Sequence, residues 1–143
     1  MTYWISLHHF SVVAALVLFG FSLLFGILFM IQESRFKQRE IPYDRLPPLA
    51  LLQRVYVRAL SMGWILLTVG IGIGFVLSWS VRGFSFASDP LQWGAIIAWL
   101  LYLVFLKGRW SEGWCGRRGF AISLLGFAAI ILTFLGTHHG VTR

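Results

Sequence analysis

An all-α, polytopic membrane protein is the architecture this sequence predicts: a bundle of four transmembrane helices with both termini on the outer, extracytoplasmic side. Three observations carry that expectation. Of 143 residues, 58% are hydrophobic and 12% charged, with a mean hydropathy of +0.79, which leaves too little polar surface to cover a soluble core of this size. Four stretches lack Asp, Glu, Lys and Arg altogether, at 1–32, 59–81, 90–106 and 119–142. The 12 Lys and Arg residues collect mainly in the gaps between them.

Each stretch can hold a helix of about 17–25 residues, enough to cross about 30 Å of hydrocarbon. Lipid offers backbone groups no hydrogen-bond partners, so the spans must be helical. They are placed at about 8–31, 60–81, 90–106 and 119–137, within a single membrane domain covering 1–143. The aromatic content of 17%, with seven Trp, suits belts at two lipid–water boundaries.

The first span opens with "MTYWISLHH", which has no Lys or Arg. No small-residue cleavage pattern follows a short apolar core, so this reads as a retained span and not a signal peptide. Ahead of the second span, "LPPLALLQRVYVRALSMG" (46–63) puts Leu52, Val55, Tyr56, Ala59 and Leu60 at helical spacing. Either a short amphipathic helix on the membrane surface or an early extension of span 2 accounts for it. Within span 2, "GIGIG" (70–74) has no preceding strand and fails as a phosphate loop. Small residues there let another helix, or a flat ligand, approach the backbone closely. Span 3 follows Asp89-Pro90, where Ser88 or Asp89 can cap the helix and proline suits its first turn. Before span 4, "GWCGRRGF" (113–120) is a basic hinge loosened by Gly113 and Gly116.

Charge sets the direction. Loop 1–2 carries Arg35, Lys37, Arg39, Arg45, Arg54 and Arg58, and loop 3–4 carries Lys107, Arg109, Arg117 and Arg118. The other side has Arg82 and Arg143 alone. The positive-inside rule therefore puts loops 32–58 and 107–118 in the cytoplasm, in the inner membrane of a cell that has one. A pI near 10.6 reflects this orientation signal against anionic lipid, and nucleic acid is not an expected partner.

No paired carboxylates, nucleophile elbow or HExxH spacing is present, so no catalytic residues and no enzymatic activity are expected. The single cysteine, Cys115, rules out a disulfide or thiol relay within the chain. The unusual residues are the four histidines, all at the outer ends of spans: "LHHF" at 7–10 and "THHG" at 137–140. Three uses stay open for them. They can sit at headgroup level with no ligand, bind zinc or copper, or ligate haem iron, the ordinary cofactor of membrane imidazoles. Bis-histidine haem binding needs one ring from each pair, with the porphyrin against aromatic side chains such as Trp79, Phe84, Phe86 and Trp93.

From about residue 7 onward the chain resembles the cytochrome c assembly family, haem-handling membrane proteins that include haem exporters and the smaller HemX-type relatives. The resemblance rests on "LHHFSVVAAL", "LLQRVYVRALSMGWILLTVGIGIG", "DPLQWGAIIAWLLYLVFLKGRW" and, most specifically, "GWCGRRGFAISLLGFAAIILTFLG". It implies non-covalent, b-type haem with axial iron ligands His9 (better matched than His8) and one of His138 or His139. It also implies a haem-facing loop holding Phe86 and Asp89, near Trp79 and Trp93. Phe86 and Ser88 take positions where the family carries Trp, Leu91-Gln92 replaces a basic–acidic pair, and His138–His139 come sooner after the last helix. The implied function is haem binding or relay in cytochrome c biogenesis. Its partners would be the lipid bilayer, other membrane subunits of a biogenesis or respiratory complex, and apocytochrome c. A second reading is a non-catalytic accessory subunit that kept the fold and lost the haem site. A third, a modulator of haem synthesis, follows from the HemX resemblance alone.

Overall fold

The computed structural model describes residues 2–38, 47–82, 90–114 and 116–140, with backbone alone at 81, 82, 90, 91 and 133–140. Among these residues the chain forms four α-helices: α1 (Thr2–Lys37), α2 (Leu49–Arg82), α3 (Pro90–Ser111) and α4 (Arg117–Gly140). The all-helical, four-element architecture is the one the charge-free stretches predicted. α1, α2 and α3 are each long and apolar enough to cross a membrane, and the chain is a multi-pass membrane protein.

The helices extend beyond the charge-free stretches because amide-to-carbonyl bonding continues past the hydrocarbon into the polar flanks. α1 has 36 residues, or about 54 Å at 1.5 Å per residue. α2 begins at Leu49 and runs unbroken through the remainder of the 46–63 segment. That segment is an extension of span 2, with Leu52, Tyr56, Ala59 and Leu60 buried in the bundle. Pro90 is the first residue of α3, where its missing N–H costs no hydrogen bond. Gly113 (φ 65) and Gly116 (φ 70) adopt the left-handed conformation at the hinge. The Trp114 amide folds back to the Gly108 carbonyl at 3.2 Å, ending α3 and reversing the chain.

Neighbours in sequence run antiparallel, and α1 meets α2, and α3 meets α4, far more extensively than the two pairs meet each other. Lipid supplies no hydrophobic force between helices, so close packing and interhelical hydrogen bonds must hold them. Glycine makes the close packing possible. A Cβ on Gly63 would stand 2.8 Å from the ring of Phe19, and one on Gly126 would stand 3.0 Å from Tyr102. Phe19 and Tyr102, both buried, stack at 4.0 Å with 15° between planes.

One polar thread joins all four helices through this core. Ser22 Oγ of α1 donates to the Tyr56 carbonyl of α2 at 3.2 Å. The Tyr56 hydroxyl reaches Ser123 Oγ at 3.0 Å and the Gly119 carbonyl at 3.2 Å on α4. Tyr102 of α3 donates to the Ser123 carbonyl at 3.3 Å. A second link ties α2 to α3: Trp64 Nε1 donates to the Trp99 carbonyl at 3.3 Å, and Trp99 Nε1 donates to Thr68 Oγ1 at 2.8 Å.

This arrangement gives the bundle two chemically distinct ends. Arg35, Lys37, Arg54, Arg58, Lys107, Arg109, Arg117 and Arg118 lie at one end, where α1 and α3 finish and α2 and α4 begin. All four histidines lie at the other.

Candidate functional site

At the histidine end, the second half of α2 is laid against the first turns of α1 by "GIGIG". Gly70 lies against Ser11 and Val12, and Gly74 lies against His8, where a Cβ would meet His8 Cε1 at 2.8 Å. Gly72 points into open space. The close-approach role of these glycines is thus filled by an imidazole as well as by a helix.

His8 is half-buried, and its Nδ1 donates to the Gly70 carbonyl at 2.8 Å. His9 is exposed, and its Nδ1 donates to the Ile5 carbonyl of its own helix, also at 2.8 Å. A carbonyl only accepts, so in each neutral ring the proton sits on Nδ1 and the lone pair on Nε2. An Nδ1–H held by a backbone carbonyl is the outer-shell contact that fixes tautomer and orientation in imidazole metal ligands. The donor set therefore fits a haem iron. The two rings meet edge to face, with centroids 5.6 Å apart and planes at 76°. Rings disposed in that way on consecutive residues could not both hold one iron between them, and a second imidazole would have to come from another element.

The backbone register brings one other element to the same level. Gly20 of α1 lies opposite Phe127 of α4, and Gly26 lies opposite Phe120. Twelve residues back from Gly20 is His8, and twelve residues on from Phe127 is His139. At 1.5 Å per residue both lie about 18 Å beyond the contact, so the last turn of α4, with His138 and His139, reaches the level of His8 and His9. The side chains of His138 and His139 lie outside the described residues, as do Phe84, Phe86, Ser88 and Asp89.

Of the aromatic residues expected at this end, Trp79 and Trp93 are described, and both are exposed. Trp79 pairs with Phe75 at 6.0 Å and is 56% exposed. It lies five residues past Gly74, about 140° further round α2 at 3.6 residues per turn, on the face turned from α1. Trp93 is exposed in the first turns of α3. Among the described residues no group of three or more His, Cys, Asp or Glu is placed to hold a bare metal ion.

The fold defines a class: small helical membrane bundles that present anchored imidazoles at one end and cationic side chains at the other. The chain belongs to the cytochrome C assembly protein family, which it matches over residues 1–141. It is similar to a cytochrome c biogenesis protein CcsA of Synechococcus sp. (strain JA-2-3B'a(2-13)), 34% identical over 98 residues, covering 68% of this chain and 28% of that protein. The protein of that name from Synechococcus sp. (strain WH7803) is 36% identical over 87 residues, 61% of this chain and 27% of the relative. The one from Trichodesmium erythraeum (strain IMS101) is 32% identical over 95 residues, 66% of this chain and 27% of the relative. The chain thus spans under a third of the length of these relatives. No solved structure matches it.

Gly70 and Gly74 are the site residues that sequence reasoning did not assign to His8. Their four-residue spacing on one helix face was visible, but the partner across the interface was not.

Proposed function

We propose that this protein binds haem at its histidine end and relays it in cytochrome c assembly. The observation that carries the reading is the shared level of the two histidine pairs on α1 and α4, together with the Nδ1 anchoring that leaves Nε2 of His8 and His9 available. Membership of a cytochrome c assembly family supports it. His9 from α1, with His138 or His139 from α4, would hold the iron. His8, tied to Gly70 and packed on Gly74, positions the helix that presents His9. The iron and porphyrin supply redox chemistry when bound; the chain itself binds, orients and hands over, with no bond-breaking step of its own.

In this reading the histidine end and both termini face the extracytoplasmic side of the inner membrane, and the basic end faces the cytoplasm, as the positive-inside rule requires. Apocytochrome c and other membrane subunits of the assembly machinery are the partners. The test is a reduced-minus-oxidised spectrum of the purified protein. A haem band that disappears in His9→Ala combined with His138→Ala and His139→Ala is the expected result. The reading fails if no band is present, or if that triple variant leaves it unchanged.

The substitutions Phe86 and Ser88, where the family carries Trp, favour one alternative: an accessory subunit that keeps the bundle without the cofactor. A colourless protein that co-purifies stoichiometrically with a haem-bearing membrane subunit is the outcome that would select it.

A further inference from the structure

We propose that the membrane surface at the basic end is stepped: along the outer side of α2, phospholipid headgroups held by Arg54 and Arg58 descend to a level that is hydrocarbon along α1. The register between the two helices sets the heights. Val12 lies on Gly70, Phe19 on Gly63 and Tyr56 on Gly26, so each step along α1 is one step back along α2. On that register Arg58 stands level with Leu24, and Arg54 with Leu28. The first charge on α1, Glu33, comes nine residues after Leu24. That places it about 14 Å nearer the basic end at 1.5 Å per residue.

Both surfaces are turned outward. Leu24, Ile27 and Ile31 of α1 are exposed and carry an apolar surface almost to Glu33. Arg54 and Arg58 are exposed as well, each two residues from buried Tyr56. They therefore stand about 160° round α2 from that ring, on the side away from the bundle. Met62 and Ile65 continue this side as exposed apolar residues. The change from polar to apolar thus falls after Arg58 on α2 and only at Glu33 on α1. Snorkelling covers part of the difference. Side chains lean toward the N-terminus of their helix, which for α2 is the basic end, and an arginine stem reaches about 5 Å, or one turn. The remainder falls to the lipid. A cation on a lipid-facing surface is met by local thinning of the bilayer and by water, and a late-starting apolar stretch draws the headgroups to it. Guanidinium groups one turn apart suit their phosphate oxygens.

The test measures depth in the full chain, with Cys115→Ser, spin-labelled at single cysteines and reconstituted in phosphatidylcholine. Collisions with oxygen and with a water-soluble nickel chelate report the depth of each label. Phe21→Cys on α1 and Met62→Cys on α2 occupy exposed positions at nearly one level, so a flat surface would make them read alike. A nickel-to-oxygen collision ratio about threefold or more higher at Met62 is expected. Arg54→Leu with Arg58→Leu should bring the two sites to within about 1.5-fold. A ratio at Met62 equal to or below that at Phe21 overturns the proposal, as does a difference that survives the double substitution. Low collision with both reagents at Met62 also overturns it, since chain and not lipid would then cover that face. The comparison with both arginines in place decides by itself if the double variant does not fold. None of these outcomes depends on haem binding.

Discussion

His8 and Gly74 show how much a single hydrogen atom in place of a side chain decides in this bundle. The imidazole occupies the space a Cβ would take, at 2.8 Å from Cε1, and can donate to the Gly70 carbonyl only from there. Gly74→Ala should therefore displace the ring and break that hydrogen bond, and the affected His8 imidazole resonances will shift in NMR spectra of the detergent-solubilised protein. Gly63→Ala acts on a stiffer neighbour, since Phe19 is 1% exposed and stacked on Tyr102. Overpacking of that kind costs about 1–3 kcal/mol. Gly72→Ala has nothing within 4 Å and should be neutral or slightly stabilising, as alanine is the better helix former. Unfolding of the three variants in mixed micelles measures the order. The sequence displays Gly72 and Gly74 as equivalent members of one repeat. Which of them meets a ring depends on the rotation of α2 against α1, a quantity the string of letters does not contain.

At the scale of elements, the interhelical hydrogen bonds are the links most open to measurement. Tyr56→Phe removes the hydroxyl that bridges α2 to Ser123 and Gly119 of α4. Hydrogen bonds between membrane helices average about 0.6 kcal/mol and reach about 1.7, so a loss in that range is expected on unfolding. Trp64 and Trp99 stack at 5.5 Å and share two hydrogen bonds with Thr68 and the α3 backbone. A double-mutant cycle with Trp64→Phe and Trp99→Phe should return a coupling of about 0.5–1.5 kcal/mol. Element identity was legible beforehand, because an uninterrupted apolar run in lipid has only one way to satisfy its backbone. Element length was not, because charge marks the edge of the hydrocarbon and not the end of the hydrogen-bonded helix. The 46–63 segment shows this: its Arg54 and Arg58 suggested a separate surface helix as readily as an extension, and from Leu49 onward it is part of α2 without a break.

At the scale of the whole molecule, the partition of histidines and cations to opposite ends was legible, since alternating spans place odd and even connections on opposite sides. The rotation of α2 was not: Trp79, five residues past Gly74, lies about 140° further round the helix, an angular relation that proximity in sequence disguises. The orientation itself is testable. In a Cys115→Ser background, Tyr3→Cys should react with a membrane-impermeant maleimide on intact cells, and Ser111→Cys should react only after lysis. Labelling in the opposite sense would reverse the direction proposed for haem handling as well.

The unequal meeting of helices, α1 with α2 and α3 with α4, has a consequence for biogenesis. Each hairpin carries its own tight internal packing, so each can enter the bilayer as a unit before the two find one another through the Tyr56–Ser123 and Trp64–Trp99 contacts. Two separately expressed fragments, divided between residues 85 and 86, should accordingly reassemble and co-purify. A divided chain that recovers its bundle would mean that the linking peptide is dispensable for assembly.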